Sequence, residues 1–259
     1  MTPGLQALAG LGAGLAGGVL SGLFGIGGGI VLVPLLALAL GLDQHRAQGV
    51  TLSVMLLPIG LPAVLHYHRS GVRILWTLVG ILILGFLFGV FTGSELANAI
   101  PERPMRWGFV LFLLLVALRM ITQKSGGKAK AGAMDRPTQE YWIPGLVIGF
   151  AGGLASGLLG IGGGIIIIPL VAWWLGFSQT EAQVTSLAVM LPPIGLPGVL
   201  VYAQAQAGFP WVLMAGVGLG FAVGAYLGAR GATRMKGAHL RRAFAALVVF
   251  TALLLAMKH

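Results

Sequence analysis

The sequence predicts an all-α, polytopic integral membrane protein: two inverted-topology repeats, with helices broken at glycine-rich motifs and about eight to ten membrane helices. Three observations predict it. Of 259 residues, 57% are hydrophobic and 8% charged, which leaves too little polar surface to cover a soluble body of this size. The run Ser21-Gly22-Leu23-Phe24-Gly25-Ile26-Gly27-Gly28-Gly29-Ile30 returns almost unchanged as Ser156-Gly157-Leu158-Leu159-Gly160-Ile161-Gly162-Gly163-Gly164-Ile165. Finally, the basic residues fall between the apolar stretches and favour one side of a bilayer.

The apolar stretches place helices at 5–25, 30–41, 47–66, 74–94 and 105–121, then at 141–160, 165–176, 182–203, 211–230 and 240–257. Continuous apolar runs indicate spanning helices, because barrel strands would alternate polar and apolar residues. The segments 30–41 and 165–176 are too short to span alone and are expected as half-helices, each paired with the segment before it. An offset of 135 residues aligns Met55 with Met190, Pro58-Ile59-Gly60-Leu61-Pro62 with Pro193-Ile194-Gly195-Leu196-Pro197, and Tyr67 with Tyr202. So many matches at one offset indicate duplication. The units are therefore 1–121, an N-terminal membrane repeat; 122–139, a linker rich in Lys, Gly, Ala and Ser; and 140–259, a C-terminal membrane repeat.

Charge gives the orientation. With the linker in the cytoplasm, twelve basic residues fall inside: Arg69, Arg73, Arg119, Lys124, Lys128, Lys130, Arg136, Arg230, Arg234, Lys236, Arg241 and Arg242. Four fall outside: Arg46, Arg103, Arg106 and Lys258. That bias arises only if equivalent loops of the two halves lie on opposite sides, hence an inverted repeat with both termini periplasmic. The net charge of +10 is spread over these loops, so it orients the chain and does not make a nucleic-acid face. With no cysteine, disulfides and thiolate chemistry are excluded.

Paired broken helices in inverted repeats bind substrate near the membrane midplane, where irregular backbone can line a cavity. Glycine breaks at Gly25, Gly27, Gly28 and Gly29, and at Gly160, Gly162, Gly163 and Gly164, can expose backbone amides to a small anion, aided by the N-termini of the half-helices behind them. Close helix packing is the competing use of such glycines. Their duplication and the short helices after them favour a site.

Further candidate substrate ligands are Gln48, Thr51 and Ser53, matched by Gln183, Thr185 and Ser186, with hydroxyls from Ser21 and Ser156. Neutral amides and hydroxyls hold an anion that must leave again, and Gln48 and Gln183 are expected to donate hydrogen bonds to it. For any single hydroxyl, a bond to its own helix is as good an expectation. Pro58, Pro62, Pro193 and Pro197 interrupt helices and are candidates for gating or hinge positions. No Asp or Glu lies mid-segment, and no metal-ligand or nucleophile–base pattern is present, so no cofactor, metal or enzymatic activity is expected.

These motifs resemble the sulfite exporter TauE/SafE family, also called the toluene sulfonate uptake permease family. The hallmark is a glycine-rich run, a short apolar stretch and proline near the start of each half, here Gly25 to Leu35 and Gly160 to Leu170 with Pro34 and Pro169. The resemblance covers essentially the whole chain. It implies a multi-pass carrier of the bacterial inner membrane for small sulfur-containing anions such as sulfite or organosulfonates. The residues alone indicate a small anion, and an anion channel or a carrier of another organic anion such as a carboxylate remains the alternative. The partners expected are that anionic substrate and the lipid bilayer, with a coupling ion (H+ or Na+) and a homodimer left open.

Overall fold

The computed structural model describes residues 2–24, 29–58, 61–122, 134–135, 137–205, 208–232 and 237–257. Every regular element among them is helical. The first half holds α1 (Pro3–Phe24), α2 (Gly29–Ala39), α3 (Gln44–Val54), α4 (Leu61–Arg69), α5 (Trp76–Ala99) and α6 (Glu102–Thr122). The second holds α7 (Gln139–Leu159), α8 (Gly164–Leu170, extended by a π-helical turn to Leu175), α9 (Gln179–Val189), α10 (Leu196–Ala205), α11 (Trp211–Ala232) and α12 (Gly237–Met257). Four helices, α1, α5, α7 and α11, are long and apolar enough to cross a membrane. At 21 residues each, α6 and α12 reach about 31 Å.

Two expected helices are corrected. Segments 47–66 and 182–203 are each two short helices, because the chain leaves helical geometry at Met55–Pro58 and Met190–Gly195. The cause is local: Pro58 and Pro193 each lack an N–H and disfavour helix in the residue before them. The chain then turns, with the N–H of Leu61 donating to Pro58 O and that of Leu196 to Pro193 O, both at 3.0 Å. Pro62 and Pro197 follow as second residues of α4 and α10, where a missing N–H costs nothing.

The halves interlock. α1 packs along α11 and α5 along α7, so each long pair joins one helix from each half, and exchanging the halves turns one pair into the other. Both pairs are built on glycines at every fourth position. A methyl group on Gly10, Gly14 or Gly18 would strike the carbonyl of Leu213, Val217 or Phe221; one on Gly216, Gly220 or Gly224 would strike Ala7, Leu11 or Leu15. The other pair repeats this, with Gly85, Gly89 and Gly93 against Leu146, Phe150 and Leu154, and Gly149, Gly153 and Gly157 against Leu82, Phe86 and Val90. Only glycine allows backbones this close.

In both pairs the contacts advance together along the two sequences, so the partners run parallel. α5 and α7 therefore begin at the same end of the molecule. Arg73, just before α5, pairs there with Asp135, just before α7, at 2.7 Å. The carboxylate raises the pKa of the Arg73 guanidinium, chiefly through this hydrogen bond.

Candidate functional site

The start of α2 meets the second glycine break. α2 starts at Gly29 with its backbone pressed on the second break, where a methyl group would strike Ile161 Cα and the Gly160 carbonyl. Gly25, Gly27 and Gly28 lie outside the described residues. In the second break, Gly160 (φ 67°) and Gly162 (φ 72°) adopt left-handed conformations that side chains disfavour. Gly160 ends α7, its N–H donating to Ser156 O at 2.7 Å. Ile166 and Ile167 donate to Gly163 O at 3.0 and 2.9 Å, which leaves the N–H groups of Gly164 and Ile165, as at any helix start, without an intrahelical acceptor.

The four predicted glycines of this break do different things. Gly163 is a packing residue, since a side chain there would strike Phe86 and come within 2.8 Å of Gly152 O. A methyl on Gly164 would lie 3.1 Å from Met190 Cε and 3.2 Å from Ser186 Oγ. Gly160 gives way to Gln48, whose Cα and Cβ would lie 2.8 and 3.0 Å from such a methyl. Gly162 has room for a methyl group, which would make ordinary van der Waals contact with Met190 Cε and Met55 Sδ, both at 3.9 Å.

Met55 and Met190 end α3 and α9 at equivalent places and wall the break from both halves. Sequence reasoning aligned them without giving them a role. Their polarisable thioethers suit a surface beside a mobile ligand. Ser156 Oγ points at Met55 Sδ at 3.5 Å.

Gln48 is fully buried. Its Oε1 lies 3.0 Å from the Tyr202 hydroxyl, and that hydroxyl donates to the carbonyl of Gly157 at 2.8 Å. Gln48 Nε2 is buried without a partner. Gln183, its counterpart on α9, is half-buried.

Thr51 and Ser53 turn their hydroxyls back into α3, to Ala47 O at 2.7 Å and to Val50 O. Thr185 differs, its hydroxyl being buried and unpartnered. Ser186 and Ser21 are buried. Thus Gly29, Gln48, Ser156, Gly160, Gly162, Gly164 and Ser186 gather around the second break, whereas the hydroxyls of Thr51 and Ser53 are spent on their own helix. Pro58 and Pro193 sit in the turns just past Met55 and Met190.

The 135-residue offset also aligns Gln44 with Gln179, a pair to which sequence reasoning gave no role. Gln44 lies one turn before Gln48 on α3, with both side-chain polar atoms buried and unpartnered; the four-residue spacing carries that signal. Asp43 caps α3, accepting from the Arg46 N–H at 2.8 Å. Around this helix start, Asp43, His45, Arg46, Asn98 and Ala205 line an open cleft of about 250 Å³.

The model of the sulfite exporter TauE/SafE family matches residues 10–255, which takes in both breaks and both glycine-packed helix pairs. The chain belongs to the sulfite exporter TauE/SafE family. Among its relatives, the probable membrane transporter protein YdhB of Bacillus subtilis is 27% identical over 82% of this chain and 85% of its own length. A probable membrane transporter protein of Methanocaldococcus jannaschii is 29% identical over 73% of this chain and 69% of its own. One from Xylella fastidiosa is 27% identical over 94% and 92%. No solved structure matches the chain. This TauE/SafE member is thus a multi-pass membrane transporter.

Proposed function

We propose that this protein is a secondary carrier that moves a small sulfur-containing oxyanion or organosulfonate across the bacterial inner membrane by alternating access. The anion sits where the start of α2 meets the second glycine break, held by backbone amides of that break and by the neutral side chains around it. The observation that carries this reading is the contact of Gly29 with Gly160 and Ile161 beside the sealed Gln48. Two interrupted helices from opposite halves meeting at a buried polar group is what a midplane substrate site requires. The neutral amides and hydroxyls gathered at the break suit a ligand that binds and leaves.

The cleft at the start of α3 supplies the outer approach, with Gln44 and then Gln48 on successive turns behind it. Parallel pairing of α1 with α11 and of α5 with α7 supports the inverted topology, and the excess of basic residues on the linker's side favours a cytoplasmic linker and periplasmic termini. Pro58, Pro62, Pro193 and Pro197 mark the hinges about which α4 and α10 move against the site.

The test is counterflow in proteoliposomes holding the purified full chain. Labelled sulfite or a sulfonate should accumulate against unlabelled anion on the far side and should saturate. A current without saturation or counterflow would instead identify a channel.

A further inference from the structure

The Tyr202 hydroxyl stands between two oxygens and has one proton to give. Gly157 O, at 2.8 Å, is a carbonyl in the last turn of α7 and can only accept. If the phenol proton goes there, the Gln48 amide oxygen at 3.0 Å faces a second oxygen with no hydrogen between them. Turning the amide over removes the conflict, since its NH2 then donates to the phenol oxygen. The two ends of an amide have the same shape, so the hydrogen-bond network decides which end faces which neighbour. The turn also relieves the buried, unpartnered NH2 at the other end. An orphaned buried donor is rarer in proteins than an under-used carbonyl oxygen.

We propose that Gln48 presents its carbonyl oxygen, not its NH2, to the glycine break, and that the site therefore takes a monoprotonated oxyanion whose own O–H is donated to Gln48. This rests on the reading of the break as an anion site and sharpens it. Backbone amides hold the unprotonated oxygens, and Gln48 accepts the hydrogen. A hydrogen oxyanion such as hydrogensulfite satisfies both. A sulfonate has no O–H and sets oxygen against oxygen; the dianion does the same. Tyr202 is a positioning residue, fixing the amide from the side away from the ligand. Transport of the protonated form carries one proton per anion, with no acid on the protein.

Calorimetric titration of the purified full chain tests this with two probes, sulfite and methanesulfonate, at pH values below and above the second ionisation of sulfite. Sulfite affinity should fall at least tenfold as pH rises through that ionisation. Methanesulfonate should bind at least tenfold more weakly than hydrogensulfite, with little pH dependence. Titratable and charged groups on the helices packed against α3, together with its own start, are Asp43, His45 and Arg46 at and on α3, Glu102, Arg103, Arg106 and Arg119 on α6, Tyr202 on α10, Glu140 and Tyr141 on α7, and Tyr226 and Arg230 on α11. The fixed charge of methanesulfonate reports their influence separately.

Tyr202→Phe frees the amide to turn, so methanesulfonate should gain several-fold relative to hydrogensulfite. Gln48→Leu should abolish the preference. Equal or tighter methanesulfonate binding by the native protein, or sulfite binding that depends on Na+ and not on pH, would overturn the amide assignment while leaving an anion site in place. Binding of neither probe would overturn both readings.

Discussion

Arg73 and Asp135 form an ion pair at 2.7 Å that ties the connection before α5 to the segment before α7. The two lie on one face of the molecule, as the distribution of basic residues requires for an inverted repeat. Single cysteines at Ser70 and Ser125 should therefore react with an impermeant thiol reagent from the same side, and one at Thr2 from the other. The chain has no native cysteine to obscure the readout. Labelling of Thr2 and Ser125 from one side would end the inverted-repeat argument.

Glycine seams should be intolerant where they meet and tolerant where they do not. Gly14→Leu and Gly89→Leu force side chains into the carbonyls of Val217 and Phe150 and should each cost about 1–3 kcal/mol or more. Gly12→Ala and Gly80→Ala lie on the same two helices with nothing within 4 Å of the added Cβ, so they should be neutral or slightly stabilising. Thermal unfolding of the four variants in detergent distinguishes the seams from a general need for small residues.

Within the second break, Gly162 separates binding from folding. Gly162→Ala places a methyl in van der Waals contact with Met55 and Met190 without a clash, at a backbone cost of about 1–2 kcal/mol for the left-handed conformation. It should fold and bind the anion more weakly. Gly163→Val collides with Phe86 and should lose stability first. Unchanged sulfite binding by a folded Gly162→Ala protein would remove that glycine from the site.

Hydroxyls should sort by where their protons already go. Thr51→Val and Ser53→Ala remove bonds within α3 and should leave affinity nearly unchanged. Thr185→Val removes a buried hydroxyl with no partner. If it reaches the ligand, one neutral hydrogen bond of about 0.5–1.5 kcal/mol is lost, a three- to tenfold weakening. Titration of the three variants with sulfite gives the order directly.

Much of this architecture was legible in the sequence because each feature is written twice. The second glycine break, the short α2 and the long α5 and α11 all fall within a few residues of their expected bounds. The interruption of 47–66 was read only as a proline in a helix, since apolar sequence continues through Pro58 and hides the turn. The seams were missed for a different reason: Gly10, Gly14 and Gly18 repeat every four residues, but their partners Leu213, Val217 and Phe221 sit in the other half. Distance also hid the neighbourhood of Gln48. Tyr202 stands 154 positions away, and only folding shows that one phenol proton must choose between Gln48 and Gly157.

Pairing α1 with α11 has a consequence for how the chain comes to exist in a cell. α1 leaves the ribosome long before α11, with a row of bare glycine backbone along one side, and its partner begins only at Trp211. Until then that row must face lipid or a chaperoning neighbour in the insertion machinery. α5 waits less, since α7 begins at Gln139. The second seam can therefore zip as soon as α7 is made, whereas the first closes only after α11 has followed. A nascent chain cut short before α11 would hold one seam shut and the other open, exposing the glycine row that cellular quality control can recognise as an orphan.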